Sequence, residues 1–461
     1  MTDIADTKTD AARDVTGQPY MIVSTDDHAG PRPSEHLRDY CPPQYLDQFD
    51  EASRVQDELA KHRDELVAES RRRIEAGTAT VRDLSLDQLG YNRDCAGHYD
   101  PHVRLRDMDA DGVSVQVIFA GGQNDTELPW VGFGWNAGPS EQSELRKVSY
   151  RMWNRWIADH VSTAPDRLLG VMQVPIWDVD AAVEELQWCS SAGLRVVNLH
   201  APREDYPAYT DPIYHRFWDA CEEIGATLAT HAGASVPYHR DDTPGANMLY
   251  LSEFHWYGTR GLTQLIWGGV FERCPGLKYV LTEQRVDFAP MMVKHLDSLY
   301  ENRVIQRKGA LEDPVGGIIA PDWPDDPDPS VPGLAETLRR PSEYWRENCA
   351  LSGSFLAQYE VAIRHEVGIH NLMYGTDYPH SEGTWPHTRI ALRHTFGDVP
   401  EDETRLILGE NAIDVYHLDR AKLREVADRI GPTPDELRVP VDLDDIPLGR
   451  SWAFREGANF S

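Results

Sequence analysis

Short apolar runs alternate with amphipathic stretches along most of the chain. The apolar runs predict strands at residues 20–26, 113–120, 168–176, 194–200, 226–231, 278–283, 347–352 and 371–377. Between them, residues 179–190, 212–224 and 360–367 carry the periodicity of helices. Strand–helix alternation of this kind predicts a parallel sheet covered by helices, and strands in this number predict closure into a (β/α)8 barrel. An open doubly wound sheet is the architectural alternative, but no Gly-rich phosphate fingerprint follows the first strand.

Two stretches exceed a minimal barrel. Residues 42–93 are charged and helical in pattern. Residues 309–344 contain the rigid acidic run Pro321-Asp322-Trp323-Pro324-Asp325-Asp326-Pro327. Long insertions on barrel loops serve as lids or subunit contacts. The expected organisation is a flexible N-terminus at 1–18, a barrel at 19–418 with insertions near 42–93 and 309–344, and a C-terminal extension at 419–461. A homodimer or higher homo-oligomer is expected, with residues 42–93 or the extension at the contact.

Composition narrows the partners. A hydrophobic content of 41% over 461 residues supports a large core. A formal net charge of −31 disfavours nucleic acid and anionic membrane surfaces. The six cysteines are dispersed without a C-x-x-C pair, which fits free thiols. No apolar run reaches the ~20 residues of a membrane-spanning helix, and residues 1–18 lack an apolar signal core. The expected location is cytoplasmic and the expected partner a small-molecule substrate.

The chemistry gathers at the strand ends. Asp26, His28, His200, His231, Glu283 and Asp377 each lie at or beside the C-terminal end of a predicted strand, where barrel active sites form. Asp26 and His28 are two apart, so a strand projects both to one side. Any one of them has an ordinary explanation: Glu283 could pair with Arg285, and His200 could cap the next segment. Together they form a metal-competent set. The loop after the second strand carries Trp130, Phe133 and Trp135, which suit either a pocket wall or core packing. His365-Glu366 with His370 misses the H-E-x-x-H spacing by one residue. Neither a P-loop nor a G-x-S-x-G frame is present.

Several segments resemble the amidohydrolase-related, metal-dependent barrel family, the branch of aminocarboxymuconate-semialdehyde decarboxylase and the aromatic acid decarboxylases. They are Ser24-Thr25-Asp26-Asp27-His28, Ala229-Thr230-His231, Gly269-Val270-Phe271-Glu272-Arg273-Cys274-Pro275-Gly276-Leu277-Lys278, Gly375-Thr376-Asp377-Tyr378-Pro379-His380 and Leu408-Gly409-Glu410-Asn411-Ala412. The resemblance implies one divalent metal on Asp26, His28, His231 and Asp377. Zinc is the first expectation; the Asp26 carboxylate on the first strand widens the choice to manganese or iron. The family decarboxylases usually carry a histidine at the end of the sixth strand, where this chain has Glu283. An ionised Glu283 would repel a substrate carboxylate, so the first reading is a hydrolase that attacks an amide, ester, lactone or activated C–C bond with metal-activated water. In that reading Asp377 is the general base, His380 donates a proton or binds a substrate carboxylate, and Glu283 is a further metal ligand or a second acid–base group. His200, Arg32 and Trp130 are the candidate substrate contacts. A non-oxidative decarboxylase of an aromatic or enol acid is the alternative, and a non-catalytic ligand-binding barrel the third reading.

Overall fold

A computed structural model describes residues 16–124, 127–131, 143–203, 206–232, 244–253, 256–301 and 338–442. Its eight strands are β1 Val23–Ala29, β2 Val115–Ala120, β3 Leu168–Gln173, β4 Val196–Asn198, β5 Thr227–His231, β6 Lys278–Thr282, β7 Cys349–Ser354 and β8 Leu372–Gly375. They pair in parallel, each with its sequence neighbour. Asp27 bridges Tyr378, just past β8. The His28 N–H donates to Tyr378 O at 2.6 Å, and the Asp377 N–H donates to Asp26 O at 2.8 Å. These links join the first strand to the last and make the sheet a (β/α)8 barrel.

Period-two alternation explains how these sequences fill the barrel. Val115, Val117 and Phe119 of β2 join Val23, Val171, Val196, Ala229, Val280, Ala350 and Met373 in one buried cluster fed by every strand. The intervening Ile118 and Ala120 belong to the outer core against the helices. β1 runs to Ala29, beyond the acid where the sequence suggested it would stop. A register shift between Ser24 and Asp27 lets pairing resume at Asp27 and run through His28 to Ala29.

Helices cover the sheet. Among them, α1 is Leu46–Glu75, α2 Val81–Arg93, α3 Pro101–Asp111, α4 Ser143–Ser162, α5 Val179–Ser191 and α6 His215–Glu223. Local signals set their ends. Thr80 and Asp83 form a capping box for α2; Asp100 caps α3 ahead of Pro101. Gly112 ends α3 with φ +85°, a left-handed conformation suited to glycine. No helix among the described residues is long and apolar enough to cross a membrane. All six cysteines are free and buried.

Both segments assigned to subunit contacts have places within this chain. The helix Arg420–Ile430 places Leu423 and Ala427 against Met21 and Val23, at the end where β1 begins. The Tyr20 N–H donates to Pro432 O at 2.8 Å. The 42–93 insertion folds into α1 and α2. They cross where a Cβ on Gly90 would meet Val67 Cγ1 at 2.4 Å, so only glycine fits there. Residues 42–93 and the helix of the extension thus pack against the barrel of their own chain. Residues 1–15 lie outside the described residues, while Gly17 is tied to Glu401 by a 2.9 Å hydrogen bond. Phe133, Trp135, residues 302–337 of the second insertion region and the tail beyond 442 also lie outside them.

Candidate metal centre

Asp26 and His28 come from β1, His231 ends β5, and Asp377 stands two residues past β8. Their polar atoms converge. His28 Nε2 lies 3.5 Å from Asp26 Oδ1, 3.3 Å from Asp377 Oδ1 and 3.1 Å from His231 Nε2. His231 Nε2 lies 3.3 Å from Asp26 Oδ1. Two imidazole nitrogens meeting edge to edge beside two carboxylates is a poor hydrogen-bond arrangement. Bonds of ~2.0–2.2 Å to one tetrahedral cation would separate the ligands by roughly 3.3–3.5 Å. Asp26 Oδ1 and both Asp377 oxygens are buried without a hydrogen bond among the described residues. The donor set therefore fits a divalent cation.

Neighbouring groups orient these ligands. His231 Nδ1 donates to Ala232 O at 2.8 Å, which leaves Nε2 as the lone-pair nitrogen facing the cluster. Ser354 Oγ, at the end of β7, donates to Asp26 Oδ2. His380 Nε2 donates to Gly121 O at 2.9 Å, so Nδ1, 2.9 Å from Asp377 Oδ1, is the nitrogen that can gain or release a proton.

A carboxylate wall adjoins this set. Glu283, Asp377 and Glu382 bring ligand-capable oxygens within 4.8 Å of one another, all buried. Glu283 and Asp377 hold φ of +54° and +56°, left-handed conformations that cost non-glycine residues ~1–3 kcal/mol each and concentrate at functional sites. Glu283 Oε2 lies 3.5 Å from His231 Nδ1, while Arg285 pairs with Asp287 at 3.0 Å. The Glu283–Arg285 pairing considered from sequence is therefore not made.

Burial, then Asp26, Glu382 and Asp27, holds the Asp377 carboxyl well above the usual range. Burial does the same to Glu283, against the pull of His231 and with Asp377, Asp26 and Glu382 reinforcing it. Asp26 goes the other way: burial opposes ionisation, but His231 and His28 hold its carboxyl below the usual range. Burial, with His380 and His231 alongside, pushes His28 down to about 3 despite Asp26. These directions belong to the cation-free protein; a divalent ion would favour the ionised carboxylates. An ionised Glu283, expected from sequence, is thus not favoured by the protein's own groups.

The candidate substrate contacts are dispersed. His200 lies buried two residues past β4, with Nε2 3.0 Å from Tyr150 OH. Arg32 is half-exposed, 3.4 Å from Glu35 and over the Tyr99 ring. Trp130 packs edge-on against Phe49 of α1, as a core contact. His365 lies on the surface, 3.1 Å from Glu403.

Sequence reasoning missed four participants. Asp27 accepts from Thr376 Oγ1 and from the Tyr378 N–H, and burial pushes its carboxyl up to about 8. Glu382 accepts from Gln123. Arg104 and Asn92 bind site histidines from outside the barrel. Two acids in succession and a carboxylate five residues after Asp377 were available signals for Asp27 and Glu382. Arg104 and Asn92 had none.

Comparison with known proteins gives the family. An amidohydrolase family profile matches residues 133–418, more than half of the chain. The chain is 27% identical over 185 residues to 2-amino-3-carboxymuconate-6-semialdehyde decarboxylase of Dictyostelium discoideum, covering 39% of this chain and 46% of that protein. It is 26% identical over 336 residues to gamma-resorcylate decarboxylase of Rhodococcus jostii (strain RHA1), covering 69% of this chain and 88% of that protein. The fold is shared with a dihydroxybenzoic acid decarboxylase from Polaromonas sp. JS666, solved with bound manganese and 2-nitroresorcinol. That match has a TM-score of 0.50 and 18% identity, over 88% of this chain and 99% of that one. With eight parallel strands, a converging Asp/His/His/Asp set and a family match over most of the barrel, the chain belongs to the amidohydrolase family.

Proposed function

We propose that this enzyme is a metal-dependent, non-oxidative decarboxylase of an aromatic or enol carboxylic acid. The carrying observation is that the relatives above are decarboxylases by name, one of them matched over 336 residues. This reverses the order favoured by sequence, where hydrolysis stood first on the strength of an ionised Glu283.

Asp26, His28, His231 and Asp377 would hold one divalent metal, with manganese and zinc both compatible with the nitrogen and oxygen donors. When bound, the cation would supply the positive charge that favours an anionic substrate and stabilises charge developing during the reaction. Asp377 carries the proton delivered to the ring carbon. The carbon–carboxylate bond then breaks, carbon dioxide leaves, and the bonding electron pair restores the ring. His380 Nδ1, 2.9 Å from Asp377 Oδ1, returns a proton to the carboxylate. The buried carboxyl of Glu283 bounds the site beside His231. A homo-oligomer and a cytoplasmic location complete the reading.

Hydrolysis is the second reading, because β6 leads into a carboxylate rather than a histidine. One experiment separates them. The metal-loaded protein is incubated with 2,6-dihydroxybenzoate and related acids, and with lactones and amides, in deuterated and in 18O-labelled water. Decarboxylation releases carbon dioxide and places one deuterium on the product carbon, without 18O in the decarboxylated product. Product carrying 18O and no carbon dioxide would establish hydrolysis instead.

A further inference from the structure

The inserted helix α2 ends against the catalytic loop. Asn92, buried near its C-terminus, donates from Nδ2 to the His380 carbonyl at 3.1 Å. Asn92 is itself held: Gln88 donates to its Oδ1, and its own carbonyl accepts from His98 Nε2 at 3.1 Å. One residue earlier, Tyr91 stacks on Trp385 of the same loop at 5.3 Å and 18°. The approach is close enough that a Cβ on Gly97 would meet the Tyr378 hydroxyl at 1.7 Å.

We propose that Asn92 is a positioning residue, which sets the height of the His380 ring against Asp377. The His380 side chain has nitrogen contacts to Gly121, Asp377 and, at 3.9 Å, Glu382, and a ring stack, which fix its rotation and plane. Its place along the loop depends on the main chain. There the carbonyl accepts from Gly383 N–H within its own turn, at 3.2 Å, and from buried Asn92 on a separate, partly exposed helix. The 42–93 insertion thereby gains a role in the site: it braces the loop that carries Asp377 and His380. A general acid–base group loses much of its effect when displaced by about 1 Å. The proposal rests on His380 handling a proton in the reaction proposed above.

The test uses the full-length, zinc-loaded protein and the Asn92→Leu variant, with Asn92→Ser as a second variant should the leucine not fold. Imidazole 15N resonances are compared at one fixed pH, with the His380 signal assigned by its loss in His380→Gln. The expected result is a shifted His380 signal, an unmoved signal for the exposed His295 of the helix Phe288–Leu299, and unchanged metal content. Asn92→Gln, which keeps the amide donor, should shift it less. With 2,6-dihydroxybenzoate as substrate, kcat should fall by about 10–100-fold while KM stays within about twofold. A merely structural asparagine would lower the melting temperature and leave both the His380 signal and kcat alone, and that outcome overturns the proposal. If the wild type does not turn over this acid, the reaction assignment fails by itself, and the 15N comparison alone decides the role of Asn92.

Discussion

The His380 ring lies stacked on the His28 ring, with centroids 3.9 Å apart and planes 16° from parallel. A proposed proton carrier thus rests flat against a proposed metal ligand, while its Nδ1 faces Asp377. Binding and proton transfer share one small volume, yet the two imidazoles have separate duties. His380→Gln should keep the metal and lose turnover by ~10²–10⁴-fold, since an amide can still donate to Gly121 O but cannot exchange a proton with Asp377. Metal analysis alongside steady-state kinetics checks this. Loss of the metal in the variant would place His380 among the ligands.

His231→Ala should strip the metal while far-UV circular dichroism stays that of a folded barrel. The side chain sits at the rim of the site with a carbonyl partner from its own neighbour, and it is not part of either hydrophobic cluster. A stoichiometry near one metal per chain in the purified variant would refute the assignment.

Ser354→Ala should weaken metal binding by ~10–100-fold without abolishing it. Ser354 donates to the Asp26 oxygen that faces away from His28 and His231, and so fixes the carboxylate's orientation. Competition with a chelator measures the change; unchanged affinity would show that Asp26 is oriented without it.

Asp377→Asn should lose turnover by ~10²–10⁴-fold even under conditions that keep some metal bound, because the amide retains an oxygen donor but cannot carry the proton. Activity within a few fold of wild type would remove Asp377 from that role.

Asp111 offers a test of stability against pH that lies away from the metal set. It is the last residue of α3, it accepts from Thr388 Oγ1, and burial pushes its carboxyl up to about 7. The unfolded value is ~3.9. Between these values the folded chain binds more protons than the unfolded one, so this group makes stability fall as pH rises from about 4 to about 7, with no further loss above. Asp111→Asn should gain most over wild type at pH 8, and the gap should narrow by ~2–3 kcal/mol at pH 5. Urea unfolding at both pH values measures it. A gap independent of pH would show that Asp111 titrates normally.

Much of this architecture was legible in the amino-acid order. Strands are local: a β-branched apolar run such as Val115–Ala120 predicts itself, and so do Thr227–His231 and Leu372–Gly375. Asp26 and His28 share a side because strand side chains alternate, and barrel topology gathers strand ends on one face. That reasoning reaches a residue on a strand, and it reached Glu283 and Asp377 too. It could not place Trp130 or Arg32, because the path of a long loop depends on what it packs against. Asn92 and His380 are 288 residues apart in the chain, and neither has a pattern that names the other. Arg104 looks like one more charge on a polar helix, yet it is fully buried, donating to the His28 carbonyl and, at 2.8 Å, to Gln116 Oε1. Hydrophobic periodicity records whether a residue faces a core. Which polar group awaits it there is decided only when barrel closure and the packing of α2 and α3 bring distant segments within hydrogen-bond reach.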